Sequence, residues 1–345
     1  MVVLGADLHK RSHTIVVIDG AGRQLAEKTI AATDAGHLEV RRWARQWPER
    51  TWALEDCRHL SRRLDAELVR AGEAVVRVSP KLMAGARRSG REPGKSDPID
   101  ALAVARAALR EPDLPIATLD GPDREVRLLV DHRDDLVGER TRHEQRLRWF
   151  LVELAIAEPA PRSLGRAVVQ ATLASALAGR TEPVARFARD LLARIIELSA
   201  TIGRLEHEIE TLVRRSAPTL LALAGCGALT AAKIIGEAAG ISRFRSKEAF
   251  ARHNGSAPVP VWSGNLVRHR LNRGGNRQLN VALHRIAITQ IRLAGPGKAY
   301  LVHRLASGDS RTEAIRALRR RLSDEVFRRL RADEAAAVTG LAAAA

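Results

Sequence analysis

The sequence predicts an α/β domain built on a mixed sheet, followed by mostly helical domains. Three observations carry this: three apolar runs in quick succession at the start, alternating helix and strand patterns up to residue 109, and long helical stretches beyond it. "MVVLGADL", "HTIVVIDG" and "RQLAEKTI" are joined by short polar or glycine-containing turns and read as a strand meander. "AGHLEVRRWARQW" has helical spacing and "TWALED" reads as a strand. "HLSRRLDAELVRAG" is then a helix closed by glycine, and "AVVRVSP" a further strand. With a helix from Pro98 to Leu109 the order is βββαβαβα.

A Pro/Gly-containing connector, "EPDLPIATLDGP" at 111 to 122, closes this first domain, 1–112. A charged helix from about Arg124 to Ile156 follows, and "EPAPRSLG" breaks it. The next helix, about Val184 to Arg215, places Leu191, Ile195, Leu198, Ile202, Leu205, Ile209 and Leu212 at alternating steps of 4 and 3. Such a narrow heptad seam suits a coiled coil between protomers or a hairpin packed within one chain. Either way, 113–216 is a spacer and oligomerisation region. From 217 to 332, "LLALAGCGALTAAKIIGEAAG" predicts two short apolar helices around Gly225-Cys226-Gly227. These glycines either bring backbone N–H groups close to a phosphate, as in helix-hairpin-helix elements, or make a tight packing turn. The Ala-rich end, 333–345, is expected to be frayed or disordered.

The 345 residues, 45% of them apolar, suffice for two or three domains with real cores. Lys and Arg total 57 against 40 Asp and Glu, so polyanions are the expected partners. Residues 241 to 330 hold 19 Lys/Arg and 5 Asp/Glu, which puts +14 of the net +17 in that stretch. The two cysteines, Cys57 and Cys226, lack the spacing of a zinc site or a disulfide framework and fit a reducing cytoplasm. The start has no signal-peptide pattern and no apolar run spans a bilayer, so neither export nor membrane insertion is expected. Aromatic residues are 3% of the chain, which weakens any model built on base stacking along single strands.

Against this basic background, "GKSDPIDA" sets Asp97 and Asp100 side by side. Asp97 reads as a helix N-cap, with Pro98 at N1 and Asp100 at N3 complementing the helix dipole. Two more acids widen the choice: Asp7 ends the apolar strand "VVLGAD" and Glu55 ends "TWALE", where half-burying a carboxylate is costly without a cation or donor. Four carboxylates gathered in one place suit Mg²⁺ or Mn²⁺, which take oxygen ligands and, in pairs, stabilise both oxygens of a phosphoryl transfer. Further on, Arg268, Arg270, Arg273 and Arg277 interleave with Gly274 and Gly275, with Asn276 and Asn280 nearby. Arginine forms bidentate bonds to phosphate, so this run reads as a nucleic-acid contact, the alternative being a solvated basic face. The arginine-rich helix "RTEAIRALRRRLSDEVFRRLR" either lies along nucleic acid or covers the core with its stems. His13, His253 and His284 read as structural.

The order Asp7 in "GADLHK", Glu55 in "ALED", Asp97 and Asp100 in "GKSDPIDA" resembles the DEDD transposases, insertion-sequence enzymes with a RuvC-like, RNase H-fold catalytic domain. "LAGCGALTAAKIIGEAAG" followed by "FRSKEAFARHNGSAPVPVWSGNLVRHRLNRGGNRQLNVALHRIA" resembles that family's C-terminal transposase domain. The resemblance implies that Asp7, Glu55, Asp97 and Asp100 hold Mg²⁺ or Mn²⁺ and that Ser263 attacks DNA to form a phosphoserine link. Without the resemblance, Ser263 is a Ser-Gly turn with no base beside it in sequence. The family further implies DNA recognition through a structured bridge RNA, and composite sites shared between protomers of a dimer or tetramer. A RuvC-like junction-resolving nuclease or a DNA invertase that needs no RNA is the alternative on the same scaffold. The chain departs from the pattern at Asp56-Cys57-Arg58-His59, which follow Glu55, and at Asn272, where the family often has Ser or Lys. Lys10 and Lys95 stand beside acids and either ease their repulsion, touch phosphate or are plain surface lysines.

Overall fold

The computed structural model describes all residues except 57–59, 90–93, 95, 112–113, 115, 118, 120, 157–162, 264–265, 273 and 345. The side chains of 263, 266–268 and 340–344 are likewise left undescribed. The chain divides into two compact units, Met1–Asp120 and Gly121–Ala345.

In the first unit, β1 (Val2–Leu8), β2 (Ser12–Ile18), β3 (Gln24–Ala31), α1 (Asp34–Ala44), β4 (Arg50–Glu55), α2 (Arg62–Arg70) and β5 (Val75–Val78) follow the expected order. Two helices then close it, α3 (Pro80–Arg88) and α4 (Asp97–Arg110). The sheet runs β3-β2-β1-β4-β5, antiparallel across β1, β2 and β3 and parallel across β1, β4 and β5. This mixed order is that of the RNase H-like fold. β1 and β2 are apolar almost throughout because both sheet faces are covered, the usual reason for a strand without alternation. Leu4, Ala6 and Leu8 pack with Val40 of α1 and Leu64 and Leu68 of α2. Val3, Val16 and Ala53 instead face Ala101, Val104 and Ala105 of α4.

Helix α3 is absent from the sequence-predicted order. Its segment is rich in Lys, Arg and Gly, yet Ser79 caps it by accepting from Leu82 N at 3.4 Å, and Pro80 takes the first turn. The connector also departs from expectation. Ile116 bridges Val76 and the amide of Ala117 donates to Val75 O at 2.7 Å, so the first unit extends to 120 rather than 112.

The second unit comprises α5 (Pro122–Glu153), α6 (Ala167–Ala178), α7 (Pro183–Ser216), α8 (Pro218–Leu221), α9 (Ala228–Ala238) and α10 (Lys247–His253). A hairpin of β6 (Val259–Ser263) and β7 (Leu266–Arg270) precedes α11 (Arg277–Arg292), α12 (Pro296–Ala306) and α13 (Arg311–Ala344). The heptad seam of α7 has its partner within the chain. Ile195, Leu198, Ile202 and Ile209 are buried, and α5 is tied to α7 by Arg133–Glu206, Arg194–Glu139 at 2.8 Å and Arg140–Ser199 at 3.3 Å. Six residues of the stretch that includes "EPAPRSLG", 157–162, lie outside the described residues, but Leu164 and α6 pack onto the end of this hairpin.

A single apolar cluster joins Val126 and Val130 of α5, Ile209 and Val213 of α7, Ile234 of α9, Ile286 of α11 and Val326 of α13. The segments read from sequence as spacer and C-terminal domain thus share a core. Helix α13 buries Ala314, Leu318, Leu322, Val326 and Leu330, so its arginine-rich sequence covers that core with one face. It continues through the Ala-rich segment expected to fray, since Ala has the highest helix propensity. Asp333 anchors it by accepting from Thr219 N at 3.0 Å and Leu220 N at 3.2 Å. Among the described residues, no helix is long and apolar enough to cross a membrane.

Candidate active site

Strand parity assembles the acids. In β1, Val3 faces α4, so Gly5 and Asp7 face it too; in β4, Ala53 faces α4, and so does Glu55. The parallel pairing of β1 with β4 ends at Ala6↔Leu54, which leaves Asp7 and Glu55 side by side at the strand ends. Helix α4 reaches them because Gly5 has no side chain. A Cβ there would lie 2.3 Å from Ala101 O and 2.5 Å from Ala105 N, so the helix backbone rests directly on the strand.

The start of α4 is capped one residue earlier than the sequence suggested. Ser96 is the N-cap, accepting from Ile99 N at 3.4 Å, and Asp97 takes the first helical position. Asp97 is thereby released from capping, and its Oδ1 lies 3.3 Å from His9 Nε2. The same His9 nitrogen is 3.1 Å from Asp7 Oδ2, so one imidazole bridges two of the acids. Asp100, one turn on, is buried and accepts from Arg87 Nη1 at 2.8 Å. Asp7 is only 5% exposed. Its pKa is raised, first by burial and then by the charges of Asp100, Asp97 and Glu55, with His9 opposing. Asp7 therefore stands in the field of the three other acids.

Three contributors escaped the sequence reading. Gly5 carried a signal, since glycine inside a strand marks close backbone approach. Lys10 was considered as the residue easing acid repulsion, whereas His9 does so. Arg87 belongs to α3, which was not predicted at all. The oxygens of Asp7 and Asp97 and a nitrogen of His9 lie within 4.8 Å of one another, close enough to hold a metal ion. Asp34, His37 and Glu67 form a comparable group against α1 and α2. There, however, His37 Nδ1 is bound to Glu67 at 2.9 Å and its ring stacks on His13, whose pKa burial lowers to about 4.

In the second unit Ser263 ends β6, paired with Leu266 across the hairpin. Its side chain and that of Arg268, and all of Arg273, lie outside the described residues. Arg270 and Arg277 are exposed, as a phosphate contact requires. Asn276, which the sequence placed in the nucleic-acid set, makes hydrogen bonds within the fold. Its oxygen caps α11 by accepting from Leu279 N at 3.1 Å, and its amide donates to Glu237 Oε2 at 2.6 Å, so both ends are used inside the fold. Gly275 likewise serves packing: a Cβ there would lie 2.2 Å from Gly255 N. Asn280 completes the pin by donating to Asn254 O at 3.0 Å.

At the Gly225-Cys226-Gly227 turn the packing role is met by Gly225. Gly225, at φ +82°, packs on Ile286 and Thr289, while Gly227 opens α9 without a side-chain cap and faces open space. Cys226 is buried, which pushes its thiol up to about 12 and leaves it unreactive. Cys57 lies outside the described residues.

An RNase H-like sheet with carboxylates gathered at its strand ends, carried by a strongly basic chain, is the arrangement of an enzyme that acts on nucleic acid. Comparison with known proteins narrows the class. Residues 4–156 match the DEDD transposase model of the IS110 type, described as "Transposase", and residues 217–301 match that of the "Transposase IS116/IS110/IS902 family". The chain belongs to this family of insertion-element transposases. It is 28% identical to the insertion element IS116 uncharacterized 44.8 kDa protein of Streptomyces clavuligerus, over 95% of this chain and 94% of that one. It is 26% identical to the insertion element IS900 uncharacterized 42 kDa protein of Mycobacterium paratuberculosis, over 95% of each. The solved Thermus thermophilus RuvC in complex with Holliday junction substrate aligns with 34% of this chain and 99% of its own, at 17% identity and a TM-score of 0.27. Strand order, not that superposition, defines the fold class.

Proposed function

We propose that this transposase cuts and rejoins the DNA strands of its insertion element with Asp7, Glu55, Asp97 and Asp100 as ligands for Mg²⁺ or Mn²⁺ and Ser263 as nucleophile. The observation that carries the reading is the gathering of ligand atoms of Asp7, Asp97 and His9 within 4.8 Å of one another, where burial first and then the charges of Asp100, Asp97 and Glu55 raise the pKa of Asp7. A group of acids held together at that cost fits a divalent cation, and the donor set of carboxylate oxygens is that of a hard ion. When bound, such an ion stabilises charge on the phosphoryl oxygens and favours the alkoxide form of a hydroxyl.

The residues then have distinct tasks. Asp7 and Asp100, both buried, fix the floor of the site, and Arg87 neutralises Asp100 until a cation is bound. Asp97, half exposed at the helix start, faces the incoming phosphate, and His9 holds it beside Asp7. Ser263 forms the new O–P bond as the P–O bond of the scissile phosphodiester breaks, and one sugar hydroxyl leaves with a proton. Arg270, Arg277 and their neighbours Arg268 and Arg273 clamp the strand. The charge of 241 to 330 and the few aromatics further support a guide RNA held by shape and backbone, so that base pairing selects the DNA.

The test is a denaturing-gel assay on DNA carrying the element's ends, with Mg²⁺ or EDTA. Wild type gives a protein-linked strand with Mg²⁺ alone, Ser263→Ala gives none, and Asp97→Asn gives none. Nicking that survives Ser263→Ala would instead make the protein a hydrolytic nuclease. Sequencing of co-purifying RNA tests the guide: a discrete species encoded beside the gene supports it, and unspecific cellular RNA opposes it.

A further inference from the structure

Of the five tryptophans, Trp52 is fully buried and Trp43 packs edge-on against Trp47, while Trp149 on α5 is 77% exposed and Trp262 is 75% exposed on β6, directly before Ser263. The surroundings of Trp262 are equally open. By strand alternation Trp262 shares its face with Pro260 and, across the hairpin, His269, both exposed, while the exposed pair Val259 and Arg270 lies on the other face of the same ribbon. From residue 249 to 308 the sequence holds no Asp or Glu and nine Lys or Arg. A single exposed aliphatic residue needs no explanation, but an indole on a cationic hairpin offers a flat apolar face next to phosphate-binding charge.

We propose that Trp262 is a base-stacking wedge, which takes an unpaired nucleobase beside the phosphodiester that Ser263 attacks. This rests on the proposed function for its location at the cut, and deepens it by assigning the recognised group. Charge complementarity favours nucleic acid over a protein partner, because an acid-free segment repels other basic surfaces, including a second copy of this chain. Stacking on one base is tolerant of sequence, since every base has a π-face, and suits an enzyme whose specificity lies elsewhere. Low aromatic content speaks against a track of stacked bases and suits a single step opened at Trp262. A stacked duplex shields the backbone path to its phosphorus, and an inserted apolar side chain unstacks one step and kinks it.

The experiment uses the full-length protein and an oligothymidylate as probe, following tryptophan emission and affinity. Wild type and Trp149→Phe are expected to show strong quenching on binding, and Trp262→Phe to lose most of it. Trp262→Ala is expected to bind about five- to a hundredfold more weakly, with the salt dependence of binding unchanged because phosphate contacts remain. Unaltered quenching in Trp262→Phe, or unaltered affinity in Trp262→Ala, overturns the proposal. So does a change of oligomeric state in Trp262→Ala with normal binding, which would make the indole a contact between copies. Failure of the serine mechanism is separate, because it is read from adduct formation in Ser263→Ala, which leaves oligothymidylate quenching in place.

Discussion

Gly5→Ala tests how the first unit aligns its acids. The added Cβ would stand 2.3 Å from Ala101 O, 2.5 Å from Ala105 N and 2.6 Å from Ala105 Cβ, where ordinary contacts begin near 3.4 Å. Two of these atoms are backbone, so no side chain can turn aside; α4 must retreat by about 1 Å or the strand must bend. Overpacking of this kind costs ~1–3 kcal/mol, and carrying Asp97 and Asp100 away from Asp7 with α4 should weaken Mn²⁺ binding. Urea unfolding and Mn²⁺ titration of the purified protein measure both effects. Gly20→Ala, at a glycine with nothing within 4 Å, is the control and is expected to change neither. If Gly5→Ala kept wild-type stability and wild-type Mn²⁺ affinity, α4 would not be placed by backbone contact and the reasoning would fail.

Asp7→Asn should abolish the rise in unfolding temperature caused by Mg²⁺ while stabilising the metal-free protein at neutral pH. The sign follows from its raised pKa: stability from protonating Asp7 is complete below the ordinary 3.8 and is lost as pH rises through the raised value. Mg²⁺ should accordingly stabilise wild type more at pH 8 than at pH 5, and equal shifts in scanning fluorimetry would refute this. Mixing Ser263→Ala with Asp97→Asn should restore strand cutting if protomers share sites, and failure at every mixing ratio would confine each reaction to one chain. Ile202→Ala, in the buried seam, should cost ~2–4 kcal/mol in urea unfolding without changing the mass measured by light scattering. A fall in mass would place the seam between protomers.

The meander and the parallel strands were legible because their apolar runs are short, β-branched and bounded by turns, and the strand-end position of Asp7 and Glu55 followed from them. What escaped depended on tertiary context. The hairpin of β6 and β7 was hidden by Pro258, Pro260 and Ser263-Gly264, which read as loop signals although Pro260 sits in a two-stranded ribbon where proline is tolerated. The partner of the heptad seam was obscured because α5 buries only Val126, Val130, Leu147 and Leu151 among many charges. Ser96 and Asp97 are both good caps, and local sequence could not choose between them. Asn276 stood among arginines in sequence, yet cap geometry and Glu237 claim it. His9 and Arg87 join the acidic group only once β1, α3 and α4 are brought together.

Anomalous diffraction from crystals of the protein soaked in Mn²⁺ tests the central claim most directly. Peaks at the β1 and β4 strand ends, within bonding distance of Asp7 and of Asp97 or Asp100 and lost in Asp97→Asn, are the expected result. Occupancy only at Asp34, His37 and Glu67, or no peak beside Asp7 at saturating Mn²⁺, would contradict it.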